Sequence, residues 1–88
     1  MNIFQEILVW KTIDNTSSVR YFCFHDLATG KYSVQSADFF NIPIDAKQLQ
    51  QFQKQSIELF TESSPIERCE WFESLVDAIK DHDEDFNN

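Results

Sequence analysis

Cys23 and His25 stand two residues apart, with Asp26 beside the imidazole, in the stretch RYFCFHDLATG that runs from Arg20 to Gly30. A thiol, an imidazole and a carboxylate this close raise two chemistries. One is a Cys–His nucleophile; the other is a zinc site completed by Cys69 and His82. On a strand, residues two apart share a face and point side by side. A catalytic pair needs the base within hydrogen-bond reach of the thiol, and no third residue in the sequence orients His25. Zinc sites of this composition pair their ligands as C-x₂₋₄-C with H-x₃₋₅-H, a spacing these four residues do not have. Cys69 falls in the apolar stripe of a helix, where a small hydrophobe is wanted. The expectation is therefore a packed Cys23 thiol, an Asp26 carboxylate that caps the following turn, and neither metal nor cofactor. The one glycine in the chain excludes a glycine-rich phosphate loop. Catalytic residues are expected to be absent, with a small thiol- or metal-dependent enzyme as an alternative.

The elements that would carry these residues follow from periodicity. Residues 5–13, 19–26 and 31–38 are rich in β-branched and aromatic types and read as strands. The link Leu27–Gly30 fits a hairpin on a type I turn, with Gly30 in the left-handed position. If Asp26 faces Lys31, His25 faces Tyr32, Cys23 faces Val34 and Tyr21 faces Ser36. The stretch FFNIPID, residues 39–45, leaves the sheet, because Pro43 cannot pair. From Ile44 or Asp45 the period changes, and Leu49, Phe52, Ser56, Leu59 and Phe60 mark a helix that ends at TESS. Ser64, Pro65 and Glu67 form a capping box that opens a second helix, with Cys69, Phe72, Leu75, Val76 and Ile79 on its apolar stripe. The predicted fold is α+β: a three-stranded antiparallel β-meander followed by two antiparallel helices packed on one face of the sheet (β-β-β-α-α). Residues 1–82 form one globular domain, and residues 83–88 a frayed acidic tail.

Two surfaces of this arrangement are candidates for function. Val19, Tyr21, Cys23, Tyr32 and Val34 line one sheet face, and Phe22 and Phe24 line the other beside Ser33 and Gln35. Helices on one face would leave the second to loops, to the N-terminal segment, to a partner, or to self-association through a sheet face. On the second helix, Glu67, Glu70, Glu73, Asp77, Asp81 and Glu84 gather opposite Phe72, Leu75 and Ile79, with Trp71 on the flank. Such a ridge is either a solvated helix face or an electrostatic docking surface, with Trp71 as an anchor or as a lid over the core edge. The candidate partner-binding residues are Glu67, Glu70, Trp71, Glu73, Asp77, Asp81, Phe22 and Phe24.

Composition narrows the partner. The 88 residues carry 15 acids against seven Lys and Arg, a formal net charge of −8. Such a chain repels phosphate backbones and anionic lipid, so neither nucleic acid nor membrane is expected as a direct partner, and a basic protein is. The first residues lack a basic segment with a cleavage site, and the run Ile7–Trp10 is too short to span a bilayer. A cytoplasmic location with reduced thiols is the expectation. The leading function is a small acidic, non-enzymatic interaction protein that docks on or inhibits a basic protein surface. That character is shared with immunity proteins, antitoxins and anti-defence inhibitors, though no motif of theirs is present. An alternative is a DNA mimic that occupies a nucleic-acid-binding cleft, for which one helix of acids is short against a duplex charge every ~1.7 Å.

Overall fold

The β-branched and aromatic runs form strands β1 (Phe4–Thr12), β2 (Ser17–Asp26) and β3 (Tyr32–Asn41) of a computed structural model that describes residues 3–87. Residues 1, 2 and 88, which belong to the ends of the expected domain and tail, lie outside the described residues. The sheet is antiparallel in the order β1-β2-β3, which makes β2 the central strand. The first turn is held by the Asp14 carboxylate, which accepts from the Thr16 N–H at 2.8 Å and the Ser17 hydroxyl at 2.7 Å. These bonds, the Thr16 amide first, hold its carboxyl below the usual range. In the second turn the Asp26 carboxylate accepts from the Ala28 N–H at 2.9 Å, and Gly30 takes a φ of 76°. Only glycine adopts that conformation without a steric cost.

The hairpin register matches the sequence expectation from His25↔Tyr32 to Cys23↔Val34. Beyond Cys23 it shifts. Phe22 pairs with Ser36 and Tyr21 with Ala37, which leaves Gln35 as the extra residue of a bulge. Tyr21 does not face Ser36, because the bulge consumes one residue of β3. The strand also runs further than expected: Phe39, Phe40 and Asn41 pair with Val19, Ser18 and Ser17. Ser17 and Ser18 extend β2 to meet them, and Pro43 blocks pairing only past that point.

Helix α1 (Ala46–Glu62) opens on Asp45, whose carboxylate accepts from the Lys47 N–H at 2.9 Å, and closes at Ser63. Helix α2 (Pro65–Arg68) opens on the expected Ser64 cap, whose hydroxyl accepts from the Ile66 N–H at 3.3 Å, but ends after four residues. Residues 69–74 are not helical. Within them Phe72 exchanges two backbone hydrogen bonds with Tyr32, each at 2.8 Å, along the outer edge of β3. Helix α3 (Leu75–Asn87) then starts afresh on Ser74, whose hydroxyl accepts from the Asp77 N–H at 3.1 Å. The single long second helix is thus corrected to two. Ser74-Leu75-Val76-Asp77 is itself a cap signal, and a helix running through it would forfeit both that cap and the Phe72 pairing. The segment Asp83–Asn87, expected to fray, continues α3, because Asp83 accepts from the Tyr21 hydroxyl at 2.7 Å and the Lys11 ammonium at 3.3 Å.

The helices lie on both faces of the sheet rather than on one. On the Phe24 face, α1 sets the Phe60 ring 5.2 Å from Phe24 and 5.9 Å from Phe4, and Phe52 5.7 Å from Phe40. On the Tyr21 face, α3 brings His82 edge-on to Tyr21 at 6.1 Å, beside the Asp83 bond. The buried centre comprises Tyr21, Cys23, Phe24, Phe40 and Ala78. The break at 69–74 also resets the phase of the last helix: Ala78 is 1% exposed and Val76 61% exposed. A helix unbroken from residue 65 would place Val76 inside instead.

This division of faces sets an order of mutational costs. Phe24→Ala is expected to lose about 3–5 kcal/mol, the range for a buried phenylalanine, and Ser74→Ala about 1 kcal/mol for a lost cap. Val76→Ala should stay within about 0.5 kcal/mol. Urea denaturation of the three variants checks the order, and equal losses at Phe24 and Val76 would contradict it.

Candidate functional site

Cys23 lies at the middle of β2 with no exposed surface, and burial pushes its thiol up to about 11. His25 shares its face but stacks flat on Tyr32, ring centres 4.3 Å apart and 7° from parallel. Cys69 is half-buried, with its Sγ 3.8 Å from Gln35 Oε1. Among the described residues no three His, Cys, Asp or Glu side chains come close enough to share a metal ion. A protonated, enclosed thiol is a poor nucleophile, since the thiolate is the reactive form. The opening stretch serves as the central strand and its turn.

The acids of the C-terminal third are redistributed by the helix break. Glu67 sits exposed on α2, and Glu70 and Glu73 on the extended segment. Asp77 and Glu84 face solvent on α3, while Asp81 is half-covered. Glu73 lies 3.8 Å from Lys31, but its side chain is 85% exposed, so that pair contributes little. Glu70, Asp81 and Asp85 line one cavity of about 270 Å³, together with His82 and the apolar Val34, Phe72 and Ala78. Glu70 comes from the extended segment and the two aspartates from successive turns of α3. Among the described residues no cation pairs with any of the three.

The aromatic candidates take other places. Phe24 is 4% exposed and belongs to the core. Phe22 is half-buried and meets Phe24 edge-on at 5.1 Å. Trp71 is half-buried and stacks on Phe4 at 5.8 Å and 25°, so it closes the edge of the α1 layer. Phe22 also lines a groove of about 360 Å³ between α1 and the sheet, together with Phe4, Leu8, Arg20, Ile57 and Phe60. Arg20 is 9% exposed. It pairs with Asp38 at 3.5 Å and lies over the rings of Trp10 and Phe40 at 5.7 and 5.0 Å. This arginine is not among the candidates named from the sequence. Its pairing with Asp38 across the strands depends on the bulge at Gln35, which no residue type announces.

Compared with protein-family models, with curated proteins and with solved structures, the chain finds no significant match.

The two thiols should separate chemically. With the Cys23 thiol raised to about 11, roughly one molecule in a thousand carries its thiolate at pH 8. Alkylation at that pH is expected to reach Cys23 only after denaturation, and Cys23→Ser should abolish the denaturant-dependent equivalent. Rapid native labelling that disappears in Cys23→Ser would overturn this placement.

Proposed function

We propose that this chain is a non-enzymatic interaction protein that docks on a basic protein surface, with Glu70, Asp81 and Asp85 receiving a lysine or arginine side chain of the partner. The observation that carries the reading is that these three acidic residues line one cavity, with no cation paired to them among the described residues. Acids placed around one cavity favour a cation that enters it. The apolar wall of Val34, Phe72 and Ala78 suits the methylene stem of a long basic side chain, whose charged end stays among the carboxylates. The net charge of −8 adds long-range attraction, which speeds encounter with a basic surface more than it deepens affinity. Exposed Glu67, Asp77 and Glu84 extend the field around the cavity.

The reading is tested by replacing Glu70, Asp81 and Asp85 together with their amides. Size is kept and three charges go. Stability should hold or rise slightly, since surface changes of this kind usually stay within about 0.5 kcal/mol each. Partners captured from lysate at low salt should be lost from the amide variant. For a purified partner, biosensor association should slow and its salt dependence flatten. Capture that duplex DNA competes away would favour the mimicry reading instead. Unchanged capture and rates would reduce the acids to a solvated face. Trp71→Ala is expected to lower the melting temperature, because the ring stacks inside the α1 layer.

A further inference from the structure

The two edges of the sheet are treated differently. The outer edge of β3 carries the bulge at Gln35 and the backbone bridge to Phe72, both of which blunt it. The outer edge of β1 carries neither. Its nine residues, FQEILVWKT, contain no proline, glycine or bulge. Among the described residues the only strand that hydrogen-bonds to β1 is β2, so its outward N–H and C=O groups have no strand partner there. Leu8 and Trp10 point to the α1 side of this strand and are 43% and 58% exposed.

We infer that β1 pairs antiparallel with β1 of a second copy about a two-fold axis at Leu8, giving one continuous sheet across the dimer. The strand itself argues for this occupant. A two-fold that joins antiparallel edges stands perpendicular to the sheet, so each residue meets one of the same face, and the paired numbers must sum to an even value. The strand Phe4–Thr12 is centred on Leu8, and that centre pairs its whole length. Leu8 meets Leu8, Ile7 meets Val9, Glu6 meets Trp10, and Gln5 meets Lys11. No like charges stand opposite each other, and outward donors meet outward acceptors at every position. Trp10 of each copy arrives opposite Glu6 of the other, at the mouth of the groove that Glu6, Leu8, Ile57 and Phe60 line. Each Trp10 ring stays against its own Arg20 and Phe40, 5.7 Å from each, so the pairing there is through backbone. Helix α1 meets β1 at the Phe4 end, so the axis sets the two copies of α1 at opposite ends of the paired strands. Both sheet faces already carry a helix, and of the two outer strand edges that of β1 is the one with neither bulge nor bridge. The net charge of −8 on each copy opposes it, so the dimer is weak and tightens as salt screens the repulsion.

Sedimentation velocity over a range of protein concentrations, at low and high salt, tests the inference. The dimer fraction should rise with both. Leu8→Glu and Leu8→Lys each set like charges on the axis and should weaken dimerisation at least about tenfold. An equimolar mixture of the two should re-form a dimer, the result expected only if position 8 meets position 8. Circular dichroism confirms that each variant folds, which the exposure of Leu8 favours. Hydrogen exchange on the unmodified protein gives an independent reading: alternate amides of β1 should gain protection as concentration rises. A chain that stays monomeric at high concentration and high salt overturns the proposal, as do variants that dimerise like the parent. A mixture that stays monomeric overturns the axis at Leu8. Salt distinguishes this contact from docking on a basic partner, since salt strengthens the dimer and weakens the docking. The amide variant of Glu70, Asp81 and Asp85 should dimerise at least as well as the parent.

Discussion

The structure depends on one constraint, that the central strand is apolar on both sides. Tyr21 and Cys23 point one way from β2, Phe22 and Phe24 the other, and both sets must leave water. A single helical hairpin on one face would strand two phenylalanines on the other. The chain answers by dividing its helices, with α1 over Phe24 and α3 over Tyr21. Burial of each aromatic ring removes enough apolar area from water to matter against the few kilocalories that hold such a domain.

The division requires a crossing, and residues 69–74 supply it. An extended segment alternates its side chains, so neighbours can serve opposite faces. Trp71 closes the α1 layer on Phe4, and Phe72 lines the α3 side with Val34 and Ala78. The same segment bonds to Tyr32 and thereby covers part of the β3 edge. It also moves Glu70 off the helix and toward Asp81 and Asp85. A structural demand of the core thus assembles the acidic cavity, which a continuous helix would have spread along one line.

Covering is uneven between the two faces. Over its 17 residues α1 buries none completely, and Ile57, Leu59 and Phe60 remain substantially exposed. The groove beneath it opens toward β1. On the opposite face α3 is fastened by the Tyr21–Asp83–Lys11 contacts. Burial, followed by the bond to Asp83, raises the Tyr21 hydroxyl, and the same carboxylate raises the Lys11 ammonium.

Local chemistry was legible wherever a few neighbouring residues decide the outcome. The turn at Asp26 and Gly30, the caps at Asp45 and Ser64, the change of period after Pro43 and the antiparallel meander are all written in short stretches. The acidic balance is likewise a property of composition. What the sequence could not decide is what competes across distance. Ser74 carries a cap signal as readable as that at Ser64, yet a helical stripe through it reads equally well. Only the Tyr32 backbone, 40 positions earlier in the chain than Phe72, tips the choice by offering two hydrogen bonds. The bulge at Gln35, the Arg20–Asp38 pair and the cavity that Glu70 and Asp81 share go with that choice of partners. Side-chain type sets what each residue tolerates, and tertiary contact alone sets which of its tolerated states is used.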